Sequence, residues 1–247
     1  MNREQIMTIE LLQQYPFILA FLLGLIPALV WLWFWLKEDT HPEPAKILTL
    51  AFLGGMLTVL LVLPLQKIIY DFFSNYQFLP EYWWNNLQFT LWAGSEEILK
   101  FVIVYIIALK NKVATDEPVD DMIYLIVSAL GFVTLENTLF LIEPIRSGDI
   151  IGTFINSNMR FVGASLVHVM SSATIGICMG LSFYKSRVKK VEYTVFGVIL
   201  AIILHAGFNL FIINEATGNV FAIFGMVWIG IIFLILLFEK VKSVKEN

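Results

Sequence analysis

The chain has 247 residues, 58% of them hydrophobic and only 15% charged, with a net charge of −4 and a mean hydropathy of +0.78. A water-soluble domain of this length cannot hide so much apolar surface, and the acidic balance leaves no electrostatic footprint for nucleic acid. The composition implies an integral membrane protein that crosses a cell membrane several times, with the bilayer as its solvent.

Seven apolar runs of about 20 residues, the length that crosses a ~30 Å hydrocarbon core, follow in order: Phe17–Leu36, Ile47–Ile69, Leu87–Leu109, Met122–Ile142, Phe161–Tyr184, Tyr193–Ile213 and Phe221–Phe238. The runs are continuous, without the alternation of barrel strands, which predicts an all-α polytopic bundle. Short connections leave no room for a second domain, so residues 1–247 are expected to form one unit. Before the first run, Arg3 precedes two acids, and no Ala-x-Ala-like cleavage site follows, so that run is expected to stay as an anchor. Cys178 is the single cysteine, and no intrachain disulfide can form.

Lys37 and Lys46 flank the first connection, Lys110 and Lys112 the third, Lys185, Arg187, Lys189 and Lys190 the fifth, and Lys240, Lys242 and Lys245 the tail. The opposite set is sparse, and the positive-inside rule therefore puts the N-terminus outside and the C-terminus in the cytoplasm. Tyr82, Trp83 and Trp84 would form an outer aromatic belt, Trp33 and Trp35 an inner one, with Arg160 as an interfacial anchor. The segment Asp39 to Pro44 reads as a loop stiffened by Pro42 and Pro44. The acids Asp116, Glu117, Asp120 and Asp121 read as a solvated helix start.

Charged and imidazole groups interrupt four of the runs: Glu96, Glu97 and Lys100; Glu136; His168; and His205 with Asn209. An ionisable group at mid-bilayer costs roughly 2.5 to 3.5 kcal/mol on insertion scales, so such groups are expected to line one polar pocket together. Counting a rise of 1.5 Å per residue from the outer span ends places Glu96, Glu97, Glu136, His168, His205 and Asn209 roughly 6 to 15 Å deep, in one layer. Within each helix the polar residues stand three or four apart: Glu96 or Glu97 with Lys100, His168 with Ser172, His205 with Asn209. Each pair can therefore face the same cavity.

Glu96-Glu97-x-x-Lys100, Phe132-x-x-x-Glu136 followed by Asn137, the His168 helix, His205-x-x-x-Asn209 and Asp39-Thr40-His41-Pro42-Glu43-Pro44 together resemble the PrsW family of intramembrane proteases. Its superfamily includes the CAAX prenyl endopeptidases and bacterial immunity-type and bacteriocin-processing relatives. The resemblance covers roughly residues 37 to 210. It implies hydrolysis of a peptide bond in a membrane-tethered protein, such as an anti-sigma factor, on the extracytoplasmic side. The CAAX branch commonly has His where this chain has Glu136, which favours the PrsW branch.

Amide hydrolysis needs an activated water, a stabilised oxyanion and a proton for the leaving amine. Glu96 is the first choice for general base, with Glu97 supporting it or exchanging roles. Lys100 would hold one carboxylate ionised, His168 would orient the water, and His205 and Asn209 would donate to the oxyanion. In a metal version, His168, His205 and a carboxylate such as Glu136 would bind zinc, with Glu96 acting on the water. No His-Glu-x-x-His motif favours it, and both versions stay open. Other classes compatible with buried Glu, Lys and His are an inactive family member that acts as a binding or immunity protein, a proton-coupled transporter, and bis-His haem ligation.

Overall fold

The computed structural model describes residues 15–39, 41–75, 80–111, 113–214 and 220–246. Arg3, Thr40, Lys112 and the Tyr82 side chain, all used in the sequence reading, lie outside the described residues. Among those described, every regular element is helical. The elements are α1 (Pro16–Glu38), α2 (Ala45–Asn75), α3 (Glu81–Val104) with a π-turn over Tyr105–Leu109, and α4 (Asp120–Arg146). There follow α5 (Ile150–Met159), a π-turn over Arg160–Ala164, α6 (Ser165–Leu181), α7 (Arg187–Asn214) and α8 (Val220–Lys242). Joined through the π-turns, they make seven rods on the seven expected runs. Five of these are long and apolar enough to cross a membrane, namely Pro16–Glu38, Ala45–Asn75, Asp120–Arg146, Ile151–Leu181 and Arg187–Phe211. The other two expected runs fall on α3, which carries Glu96, Glu97 and Lys100, and on α8.

The fourth run is apolar on every side, and a helix of that kind must be wrapped by others. Accordingly α4 is the axis of the bundle: each residue from Val119 to Thr134 is buried. Small residues let its neighbours approach to backbone contact. A methyl group on Gly55 of α2 would collide with the Ser128 carbonyl, and one on Gly131 of α4 with the Phe52 carbonyl. Gly24 of α1 faces the Thr134 carbonyl, and Gly176 of α6 lies against Met122. The outward faces of the peripheral helices carry exposed Leu22, Ile26, Leu57, Ile203, Ile232 and Phe233, as a lipid-facing surface requires.

Gly131→Ala is expected to cost about 1 to 3 kcal/mol because the added methyl overpacks two helices at backbone distance. Gly207→Ala, where a methyl meets nothing within 4 Å, should be neutral or slightly stabilising. Unfolding of both variants in mixed micelles measures the contrast; equal effects would remove the close-packing argument.

The first, third and fifth connections meet at one end. His41 Nδ1 lies 2.8 Å from Glu117 Oε1, the Tyr124 hydroxyl donates to Glu43, and Lys110 and Lys190 share a cavity. The Asp39–Pro44 segment is thus a shaped loop, closed by a bond from the His41 amide to Asp39 Oδ1 at 3.0 Å. Burial there holds both Asp39 and Glu43 above the usual carboxylate range. The acidic helix start is not solvated as expected: Asp120 and Asp121 are buried. The reason is local. Asp120 turns back to accept the Glu117 amide at 2.6 Å, and the central position of α4 covers its first turn as well as its middle.

Candidate active site

Helices α3, α4, α6 and α7 each bring polar side chains to one buried group. Glu97 sits at its centre with no exposure to solvent. Lys100, one turn on, donates to Glu97 Oε1 at 2.6 Å, while His205 Nδ1 lies 2.8 Å from the same oxygen. Ser172 donates to Glu97 Oε2 at 3.1 Å. Both oxygens of Glu97 are therefore occupied, and Lys100 pairs with Glu97 in preference to Glu96. An ionised carboxylate only accepts hydrogen bonds, so His205 carries a proton on Nδ1 and turns Nε2 away from Glu97.

His168 is held at both nitrogens. Lys100 Nζ lies 3.3 Å from Nδ1, and Nε2 lies 3.3 Å from Glu136 Oε2. The ammonium can only donate, which leaves the Nε2 proton for Glu136. Glu136 also receives Arg160, whose guanidinium bonds Asn137 Oδ1 as well and lies 3.9 Å from the Phe140 ring centre. Arg160 is thus not a simple interfacial anchor. It stands at the start of a π-turn, whose extra residue re-aims a side chain, and it reaches inward to α4.

Glu96 differs from Glu97 in the way that matters for chemistry. Its Oε1 accepts Gln66 Nε2 at 2.7 Å, but its buried Oε2 has no hydrogen-bond partner among the described residues. That oxygen stands 3.6 Å from His205 Nε2 and 3.9 Å from His168 Nδ1. A buried carboxylate oxygen that no donor reaches is costly unless a proton, water or cation meets it there. Glu96, Glu136, His168, His205 and Asn209 line one cavity of about 520 Å³, together with Gln66 and Arg160. Phe89, Trp92, Phe132 and Phe208 supply much of its apolar wall.

Among the described residues, Glu96, His168 and His205 form the group able to hold a metal ion, with donor atoms within 4.8 Å of one another. Two imidazoles and a carboxylate with a vacant oxygen suit a three-ligand catalytic site. The carboxylate in this group is Glu96, whereas the sequence reading offered Glu136. Glu136 is committed to Arg160 and His168.

Gln66 escaped the sequence reading. A single amide near the end of an apolar helix looks like interhelical glue, and only the crossing of α2 and α3 aims it at Glu96. Its backbone carbonyl is tied in turn to the Trp92 indole N–H at 3.2 Å. Arg160 escaped as a site residue because its reach depends on the π-turn, which has no pattern in the sequence.

The profile of a family described as "PrsW family intramembrane metalloprotease" matches residues 43–237. "Protease PrsW" of Geobacillus kaustophilus (strain HTA426) is 28% identical over 228 residues, covering 90% of this chain and 89% of that protein. "Protease PrsW" of Clostridioides difficile (strain 630) is 28% identical over 200 residues, 79% of each chain. "Protease PrsW" of Bacillus subtilis (strain 168) is 28% identical over 194 residues, 75% of this chain and 79% of the other. No solved structure matches the chain.

Proposed function

This chain belongs to the PrsW family of intramembrane metalloproteases, and from that premise we propose that it hydrolyses a peptide bond of a membrane-tethered protein at the Glu96 cavity. The observation that carries the residue assignment is the unpartnered Glu96 Oε2 in a group otherwise saturated with hydrogen bonds. A water at that oxygen meets a carboxylate able to take its proton. Glu97 has no oxygen left for that task. It holds Lys100 and the Nδ1 side of His205, so that Nε2 faces the reacting region.

His168 is held in place by Lys100 on one side and Glu136 on the other. Asn209, one turn beyond His205 on the cavity wall, can donate its amide to the developing oxyanion. The aromatic wall excludes bulk water, which strengthens each of these interactions. The positive-inside bias supports a cut near the extracytoplasmic face, and the resemblance to PrsW supports a single-span regulator of the anti-sigma-factor kind as substrate.

Glu96, His168 and His205 would hold a divalent ion such as zinc, which when bound supplies Lewis-acid polarisation and a more acidic water. Ligand and base roles then fall on the same Glu96 carboxylate, so a metal-assisted and a carboxylate-only mechanism are alternatives at one point. Cleavage of single-span peptides in proteoliposomes, with and without chelator, separates them. Loss of activity on chelation, with recovery on adding zinc, would establish the ion; chelator-resistant cleavage would establish the carboxylate alone. Folded protein that cleaves nothing would overturn the proposal.

Gln66 acts through Glu96 as a positioning residue, turning Oε2 toward the cavity by holding Oε1. Gln66→Leu should lower kcat about 10- to 100-fold, the usual effect of losing a supporting hydrogen bond to an active-site ligand, with KM unchanged. A change confined to KM would assign Gln66 to the substrate wall instead.

A further inference from the structure

A second cavity, of about 420 Å³, lies at the other end of the bundle, lined by Lys110, Thr115, Asp121, Ser182, Lys190 and Thr194. Its walls come from the ends of four spans: the π-turn after α3, the first turn of α4, the end of α6 and the start of α7. It therefore sits at headgroup depth, and Leu109, Met179 and Phe183 add apolar surface beside the polar groups.

Asp121 is the unusual group. It is only 7% exposed and lines this cavity, yet no hydrogen bond or ion pair reaches its carboxylate among the described residues. Lys190 acts on it electrostatically without forming an ion pair; the ammonium lies over the Phe183 ring, 5.0 Å from its centre. The hydroxyls around Asp121 have spent their protons on the backbone. Ser182 donates to the Met179 carbonyl at 2.9 Å, Thr194 to Lys190 at 2.8 Å and Thr115 to Asn111 at 3.2 Å. Only their lone pairs remain to face a ligand. The cavity thus offers acceptors alone at its base, one of them an uncompensated carboxylate, and two exposed ammonium groups at its rim.

A base of acceptors requires a cation with N–H donors, and a rim of ammonium groups requires an anion. One small group carries both, a primary ammonium two carbons from a phosphate. We propose that this cavity binds the phosphoethanolamine headgroup of an aminophospholipid, with the ammonium on Asp121 and the phosphate between Lys110 and Lys190. Basic pockets between membrane helices are recurrent lipid headgroup sites, and the carboxylate adds selectivity for a primary amine. The site is remote from the Glu96 group and stands whether or not that group cleaves peptides.

Native mass spectrometry of the full chain in detergent, with lipids added at equal concentration, tests this directly. Phosphatidylethanolamine should be retained about tenfold more tightly than phosphatidylcholine, whose quaternary ammonium has no N–H to donate to Asp121. It should also be retained more tightly than phosphatidylglycerol, which lacks the cation. Asp121→Asn should erase the preference, while Lys110→Ala with Lys190→Ala should weaken phosphatidylethanolamine and phosphatidylglycerol alike. Equal retention of phosphatidylethanolamine and phosphatidylcholine by the unaltered protein would overturn the proposal without any variant. Preference for phosphatidylglycerol would do so too, as would an unchanged preference in folded Asp121→Asn. Soluble O-phosphoethanolamine should compete only weakly; tight binding of it without the lipid would overturn the assignment to a membrane lipid.

Discussion

Glu96→Gln should abolish cleavage while leaving the protein folded and at least as stable as before. The substitution preserves shape, and its side-chain oxygen can still accept the bond that Gln66 makes to Glu96 Oε1 at 2.7 Å. It removes the ability to take a proton at Oε2, the unpartnered atom of the site. General-base catalysis contributes roughly 10²- to 10⁴-fold, so turnover should fall by about a thousandfold, or about 4 kcal/mol of transition-state stabilisation. Stability should hold or rise because a buried carboxylate oxygen without a donor is itself a cost. Cleavage of a single-span peptide in proteoliposomes, measured beside unfolding in mixed micelles, reads both quantities. Retained turnover in the folded variant would sink the assignment of Glu96 as base or ligand. Lost turnover with lost folding would show that the carboxylate serves the bundle instead.

Lys100→Met should have the opposite signature. The Lys100 and Glu97 side chains are 1% and 0% exposed and 2.6 Å apart, so removing the ammonium strands a carboxylate inside the bundle. Breaking one side of a buried pair typically costs about 3 to 5 kcal/mol, a large part of any domain's stability. His168 would lose the donor that sets its tautomer at the same time. The double variant, Glu97→Gln with Lys100→Met, should recover much of the stability because neither charge is then stranded. It should not recover cleavage, since His205 would no longer be oriented by an ionised partner. A double variant no more stable than Lys100→Met alone would mean that the pair is not the unit the geometry describes. Full activity in Lys100→Met would show that the Glu97 network plays no part in the reaction.

These two expectations separate Glu96 from Glu97, adjacent residues that the sequence could not rank. Neighbours on a helix point about 100° apart, and which of them faces a cavity depends on where the surrounding helices lie. The same limit explains the other differences. Glu136 was the carboxylate offered as a metal ligand, with Glu96 acting on the water, whereas the group that lies close enough to hold an ion contains Glu96, and Arg160 reaches Glu136 across 24 positions of chain. Asp120 and Asp121 read as solvated because acids suit a helix start; their burial follows from α4 being the axis of the bundle. Gln66 and Arg160 acquired roles only through crossings and a π-turn.

What the sequence determined by itself is what depends on composition and local period: membrane insertion, an all-helical chain, seven apolar runs in order, and the four helices that carry ionisable groups. These follow from the cost of placing backbone and charge in lipid, which is paid segment by segment and can be read segment by segment. The tertiary structure decided which oxygen stays free, which nitrogen of each imidazole holds its proton, and which cation serves which carboxylate. Hydrogen bonds act over about 3 Å, and a residue gains such a partner on another helix only once close packing at Gly55 and Gly131 has set where the helices cross.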